Sequence, residues 1–168
     1  AGLPGMAERT VTVGSASKEL RMIGWRVGWI VAPDSLVPDL ALVGMGNVVV
    51  PVGIAQQAAA AALEQGDEEV AAATAAWQGR RDLILAELEG LPVVRPDGGW
   101  SLLIDAEPLG LDGAALSERL FREAKIAATP MAGWGTVNGD RFLRFVFANE
   151  PVERLAGIGE RVRRALRI

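Results

Sequence analysis

The sequence has no cysteine, no histidine and no tyrosine among its 168 residues. Without cysteine it has no disulfide, no thiolate metal site and no cysteine nucleophile. Because histidine is absent as well, the usual zinc sites and Ser-His-Asp catalysis are excluded, and acid–base chemistry must use carboxylates or lysine. Lysine is itself scarce, since the 17 basic residues include only Lys18 and Lys125. A lysine retained inside a motif therefore indicates a need for an amine.

The sequence also lacks a strong charge of either sign. Its formal net charge is -4, with 50% hydrophobic and 23% charged residues, which predicts a soluble globular protein and no nucleic-acid partner. The longest apolar tract, residues 37–63, is interrupted by prolines and polar residues, so no membrane span or membrane partner is predicted. No basic region followed by an apolar core opens the chain, so no export signal is predicted and we expect a cytoplasmic protein.

Residues 14–28 bring together the side chains that are best suited to chemistry. Residues 9–13 alternate between polar and apolar, and residues 25–31 are mostly apolar, so both flanks are predicted to be strands. Lys18 then lies in the turn between them, where its side chain can face a cleft. A lone lysine at such a place is usually a solvated turn residue, so a functional role for Lys18 must be judged from its neighbours.

The neighbours of Lys18 favour a site for a phosphorylated aldehyde. An amine forms a Schiff base with an aldehyde, and it is nucleophilic once neutral. Ser15 and Ser17 offer short hydrogen-bond donors, and Arg26 offers a planar forked cation that suits a phosphate. The glycines of this stretch allow the backbone to approach closely.

The phrase Ser-x-Ser-Lys followed by Met-x-Gly-Trp-Arg-x-Gly resembles the pyridoxal-phosphate (PLP) lysine signature of class I/II aminotransferases of fold type I, the aspartate aminotransferase superfamily. The resemblance implies that Lys18 forms a Schiff base with PLP, and that Ser15, Ser17 and Arg26 hold the cofactor phosphate. Arg21 departs from the pattern, because the family usually has a small residue there. Its long side chain would either crowd the amine or point to solvent.

A second candidate residue, Arg144, lies in the predicted strand formed by residues 142–147. Period-two alternation places Arg144 on the face of Phe142 and Val146, so a cation is set in an apolar surface and needs an anionic partner. The strand alone favours a structural ion pair with an unidentified Asp or Glu. The phrase Phe-Leu-Arg-Phe-Val-Phe-Ala also resembles an aminotransferase strand whose arginine binds the substrate α-carboxylate, and the resemblance implies that role for Arg144.

Trp134 is a further candidate for substrate binding. It lies between two glycines in the loop before the Arg144 strand. In the family that Arg144 and Lys18 indicate, residues at this place often shape the pocket for the substrate side chain. Packing in the core is the alternative for this tryptophan.

The remaining pattern alternates helices with strands, which predicts an α/β or α+β layout. Residues 44–51 are predicted to be irregular or extended, and Asp112 is predicted to cap a helix. The predicted helices are residues 36–42, capped by Asp34 or Ser35, and residues 53–63, 68–88, 111–124 and 151–166. The predicted strands beyond the lysine motif are residues 93–95, 100–104, 126–129 and 142–147.

The resemblance implies the C-terminal part of a fold type I PLP-dependent transferase. Residues 1–68 would be the end of the large cofactor domain, and residues 69–168 the linking helix and the small α+β domain. The rest of the protein is expected to precede Ala1. The implied reaction moves an amino group between an α-amino acid and a 2-oxo acid, in a homodimer with no metal. A catalytically silent fragment or interaction module of this fold and a related carbon–sulfur lyase are the alternatives.

Overall fold

The computed structural model describes residues 1–168, which form two compact units. Unit 1 is Ala1–Ala72 and unit 2 is Ala73–Ile168. The boundary falls inside a long helix, Asp67–Glu87. None of the helices combines the length and the apolar character needed to cross a membrane.

Unit 1 contains a two-stranded antiparallel ribbon of β1 (Thr12–Ser15) and β2 (Gly28–Val31). Both strands were predicted, but each begins three residues later than expected, at Thr12 and at Gly28, and each is shorter. Residues 7–9 form a 3-10 turn instead of the start of β1. Arg26 has a φ of +54°, in the left-handed region, so the chain becomes extended only after it.

Three helices follow the ribbon: α1 (Val37–Asn47), α2 (Gly53–Gln65) and α3 (Asp67–Glu87). The prediction of an irregular segment over residues 44–51 is wrong for its first part, because α1 continues through two glycines to Asn47. The amide of Val48 still donates to the carbonyl of Gly44 at 2.9 Å. No side chain caps the turn that starts at Asp34, so the predicted cap is also wrong.

A small core joins α2 to the turn that follows β1. Ala16 and Met22 from the turn and Ala59 from α2 are buried together, and Trp29 of β2 packs against them. The alanine-rich face of α2 allows this close approach, because an alanine side chain adds little volume. The turn that carries Lys18 is therefore held by α2 as well as by its own strands.

Unit 2 contains a four-stranded antiparallel sheet with the order β3-β4-β6-β5. Its strands are β3 (Val93–Val94), β4 (Ser101–Asp105), β5 (Thr129–Pro130) and β6 (Phe142–Val146). Its helices are α4 (Gly113–Arg119), continued by the π-helical turn Leu120–Ala124, α5 (Val152–Leu155) and α6 (Ile158–Leu166).

Two predicted elements of unit 2 differ clearly from the structure, and one predicted cap is confirmed. The strand predicted over residues 126–129 begins only at Thr129. The helix predicted over residues 151–166 is interrupted after α5, because Gly157 adopts a φ of +77°. Asp112 caps α4 as predicted, since its Oδ1 accepts a hydrogen bond from the amide of Ala115 at 2.7 Å.

One face of the sheet forms the core of unit 2. Leu102 and Ile104 of β4 and Leu143 and Phe145 of β6 alternate with less buried residues and point to the same side. They pack in one cluster with buried residues of the helices and of the turn after α3, namely Ile84, Leu88, Leu116, Leu120, Leu155, Ile158, Val162 and Ala165. The opposite face of the sheet therefore carries Arg144.

The end of α3 is bonded to the start of α6. The Glu87 carboxylate accepts hydrogen bonds from the amides of Gly157 at 2.9 Å and Gly159 at 3.0 Å. These two backbone hydrogen bonds, and then the charge of Arg163, hold the pKa of Glu87 below its ordinary value against the opposing effect of burial. Gly159 has no space for a side chain here, because a Cβ would lie 1.9 Å from the carbonyl oxygen of Glu87.

We predict that Glu87→Gln lowers the free energy of unfolding by about 1 kcal/mol at neutral pH, the usual size of a lost helix cap. Because the folded-state pKa of Glu87 is depressed, its stabilisation is present above the unfolded-state pKa and is lost as the pH falls through the folded value. The difference between wild type and variant should therefore shrink below about pH 4, near the ordinary pKa of a glutamate. Denaturant titrations at several pH values measure it.

Glu89→Gln is the control for that experiment, because Glu89 is an exposed carboxylate two residues further along. We expect it to have little effect on stability at neutral pH. Equal losses in the two variants would contradict the capping role of Glu87.

Candidate active site

The turn that carries Lys18 is closed by backbone hydrogen bonds. Ser15, the last residue of β1, lies opposite Gly28, the first residue of β2. Beyond this pair, the amide of Ala16 donates to the carbonyl of Val27 at 3.2 Å, and the amide of Met22 donates back to the carbonyl of Ala16 at 3.1 Å. Residues 16–27 thus form a closed loop at the end of the ribbon, with Lys18 inside it.

All four predicted cofactor residues lie in or beside this loop. Ser15 Oγ accepts a hydrogen bond from the amide of Ser17 at 3.2 Å, which fixes the start of the turn. One guanidinium N–H of Arg26 donates to the carbonyl of Ile23 at 2.9 Å, and a guanidinium has five donors in all. The side chains of Ser15, Lys18 and Arg26 are exposed and Ser17 is half-buried. The loop therefore presents two hydroxyls, an amine and a guanidinium to its surroundings.

Two glycines allow the strands to carry this loop. A Cβ on Gly28 would lie 2.7 Å from the carbonyl oxygen of Gly14, and a Cβ on Gly14 would lie 2.2 Å from the ring of Trp29. Neither position can hold a side chain without moving a neighbour. Gly14 and Gly28 are therefore the glycines at which the backbone approaches closely, as the sequence suggested.

Arg21 belongs to the same turn as Lys18, because its amide donates to the carbonyl of Lys18 at 3.1 Å. It lines a cleft of about 560 Å³ in unit 1, together with Glu19, Gln65 and Glu69. Neither Lys18 nor Ser15, Ser17 or Arg26 lines that cleft. Arg21, which departs from the family pattern, thus lines a cleft that the predicted cofactor residues do not line.

Arg144 lies at the centre of the sheet of unit 2 and has no anionic partner there. It is opposite Leu103 of β4 and Thr129 of β5. Its Nε is buried and has no hydrogen-bond partner, and no carboxylate forms an ion pair with it. The structural ion pair that the strand alone favoured is absent from the structure. The surface around Arg144 is also less buried than expected, because Val146 on the same face is exposed.

Asp105, at the end of β4, and Glu107, just after it, are paired with a different arginine, Arg141. Arg141 Nε donates to Asp105 Oδ1 at 2.6 Å, a second hydrogen bond joins Arg141 Nη2 to Asp105 Oδ2, and Arg141 Nη1 lies 2.6 Å from Glu107 Oε2. The hydrogen bonds from Arg141 hold the pKa of Asp105 below its ordinary value, and those to Asp105 raise the pKa of Arg141. These ion pairs of Arg141 were not predicted from the sequence, because the pairing of Arg141 with Asp105 depends on the register of β4 and β6. Arg144 is therefore left without a carboxylate partner in this chain.

Trp134 stacks on Arg144. The Arg144 Cζ lies 4.6 Å from the centroid of the Trp134 ring, within the range of a cation–π contact. Trp134 belongs to the loop between β5 and β6, and 61% of its surface remains exposed. The alternative of core packing is therefore wrong for this tryptophan. Both residues were predicted from the sequence, but their contact was not.

The chain is similar to known proteins over nearly its whole length. Residues 2–162 match the sequence profile of the family described as aminotransferase class I and II. An arginine–pyruvate transaminase of Pseudomonas aeruginosa is 37% identical over 156 residues, which are 90% of this chain and 40% of that protein. An aspartate aminotransferase of Pyrococcus abyssi is 34% identical over 171 residues, which cover 99% of this chain and 43% of that protein.

Solved structures give the same result. An aromatic aminotransferase from Pyrococcus horikoshii has a TM-score of 0.90 and 33% identity, and the match covers 99% of this chain and 45% of that one. The aspartate aminotransferase from Thermus thermophilus with maleate has a TM-score of 0.82 and 33% identity, over 95% and 42% of the two chains. These matches confirm the fold class predicted from the sequence. The chain spans less than half the length of each of these proteins.

We predict that Gly28→Ala destabilises the Lys18 loop, because its Cβ would collide with the carbonyl oxygen of Gly14. Overpacking of this kind costs about 1–3 kcal/mol. Gly24→Ala is the matched control, since Gly24 lies in the same loop and has nothing within 4 Å of the added Cβ. Thermal unfolding of both variants measures the difference, and equal melting temperatures would contradict the steric requirement at Gly28.

Proposed function

We propose that this chain, which belongs to the class I and II aminotransferase family, is part of a PLP-dependent aminotransferase. The reaction would move an amino group between an α-amino acid and a 2-oxo acid, both small molecules. The observation that carries the proposal is the closed loop over residues 16–27, which gathers Lys18 with Ser15, Ser17 and Arg26.

The residues of the loop fit the cofactor chemically. A phosphate needs several donors at close range, and the hydroxyls of Ser15 and Ser17 with the fork of Arg26 supply them. An aldehyde needs a primary amine, which Lys18 supplies. The left-handed conformation of Arg26 and its hydrogen bond to the carbonyl of Ile23 keep the backbone of this side of the loop in one shape. We therefore assign cofactor binding to these four residues.

When it is bound, PLP supplies an electron sink that stabilises negative charge at the substrate α-carbon. Lys18 then has two roles of its own. Its Nζ holds the cofactor before the substrate arrives, and once displaced by the substrate amine, Nζ carries a proton to and from the α-carbon. With no histidine or tyrosine in the chain, Lys18 is the group in this loop that can perform both roles.

Arg144 is assigned to the carboxylate of the substrate. A guanidinium binds a carboxylate through two parallel N–H bonds, which fixes orientation as well as position. The support for this role is that Arg144 has no carboxylate partner of its own, while Asp105 and Glu107 are paired with Arg141. Trp134, stacked on Arg144, is assigned to the same substrate-binding region.

The proposal includes a homodimer in the cytoplasm. The support for the homodimer in the chain is the set of large apolar side chains that unit 1 leaves exposed. The exposed apolar residues in and beside the ribbon and in α1 include Val11, Val13, Ile30, Val31, Leu42, Val43 and Met45. Such a surface is expected to be covered in the assembled protein.

We predict that the purified chain develops a Lys18-dependent absorbance band when PLP is added. Borohydride reduction should then fix one cofactor on the chain, and intact mass and peptide mapping should place it on Lys18. The Lys18→Ala variant should show neither the band nor the adduct, because it lacks the amine in the loop.

Lys125→Ala is the matched control, since Lys125 is the other lysine of the chain and its Nζ already donates to the carbonyl of Arg122 at 2.8 Å. We expect this variant to behave like wild type. An adduct that persists in Lys18→Ala would overturn the assignment of cofactor binding to this loop. A folded wild-type chain that forms no adduct would overturn cofactor binding by this chain alone.

A further inference from the structure

We propose that Trp134 is the positioning residue that holds the guanidinium of Arg144 ready for a carboxylate. The inference rests on the proposed function, in which Arg144 binds the carboxylate of the substrate. It differs from the expectation that Trp134 shapes the pocket for the substrate side chain, because here Trp134 acts through Arg144.

The first observation is the pattern of contacts around the Arg144 side chain. Its Nε is buried without a hydrogen-bond partner, and it has no ion pair. Its neighbours across the strands, Leu103 and Thr129, carry no charge. The specific contact that orients the guanidinium is therefore the ring of Trp134, 4.6 Å from Cζ.

The geometry of a stacked arginine suits this role. An aromatic ring over the face of a guanidinium leaves the N–H groups in the plane, where they can meet both oxygens of a carboxylate. An arginine without such a contact has many rotamers, and anion binding would then cost the conformational entropy of ordering the side chain. A ring that orders the side chain beforehand therefore increases the affinity for the anion.

The position of Trp134 is set by its loop and not by burial. Its amide donates to the carbonyl of Met131 at 3.0 Å, and the preceding Gly133 has a φ of +80°. Gly139 closes the same loop so tightly that a Cβ there would lie 2.9 Å from the carbonyl oxygen of Met131. Since 61% of Trp134 is exposed, its replacement removes little buried surface and should leave the fold intact.

The test follows the Nε–H signal of Arg144 by NMR in the full chain. The signal is assigned by its loss in Arg144→Lys. We expect the ring current of Trp134 to shift it, and Trp134→Leu to remove that shift. Lactate is then titrated as the probe, because it has a carboxylate beside an oxygen-bearing carbon but no carbonyl that could react with Lys18.

We expect Trp134→Leu to weaken lactate binding about fivefold, which corresponds to a cation–π contact of ordinary strength. Trp134→Phe keeps an aromatic face and should show an intermediate affinity. Phe121→Leu is the matched control, because Phe121 is also 61% exposed and lies in the π-helical turn of unit 2. This control should bind lactate like wild type.

The outcomes separate the inference from the function on which it rests. Equal lactate affinity in wild type and Trp134→Leu would overturn the positioning role and leave Arg144 as the carboxylate ligand. An Arg144 signal that does not respond to lactate in wild type would overturn both. A fivefold loss in Trp134→Leu that Trp134→Phe partly restores would support the inference.

Discussion

The Lys18 loop depends on two positions of the ribbon that cannot hold a side chain. At Gly14 and Gly28, the ring of Trp29 and the carbonyl oxygen of Gly14 occupy the space that a Cβ would need. Beyond this pair, the amide of Ala16 closes the loop with a hydrogen bond to the carbonyl of Val27. Serine, lysine and arginine then come together within a short segment, against which Ala59 of α2 packs.

The local features of this site could be predicted from the sequence, because they are encoded within a few residues. The turn between two strands, the four polar side chains and the need for glycine all follow from the order of residues 14–28. The end of α1 was not predictable in this way. Two glycines suggested a break, yet the helical hydrogen bonds continue past them to Asn47.

The surroundings of Arg144 were harder to predict, because they depend on strand register and loop geometry. The sequence shows a cation in an apolar strand but not which acid it meets. Only the register of β4 against β6 shows that Asp105 faces the start of β6, where Arg141 takes it. The stacking of Trp134 likewise depends on a loop with a left-handed glycine, a conformation that no periodic pattern reveals.

The hydrogen bonds from the amides of Gly157 and Gly159 to the Glu87 carboxylate join segments that are at least 70 residues apart in sequence. Arg163 strengthens the same junction, since its guanidinium donates to the carbonyls of Glu87 and Glu89. The C-terminal helix therefore cannot fray from its N-terminal end without releasing the end of α3. In hydrogen-exchange terms, we expect the amides at the start of α6 and those at the end of α3 to open together as one cooperative unit.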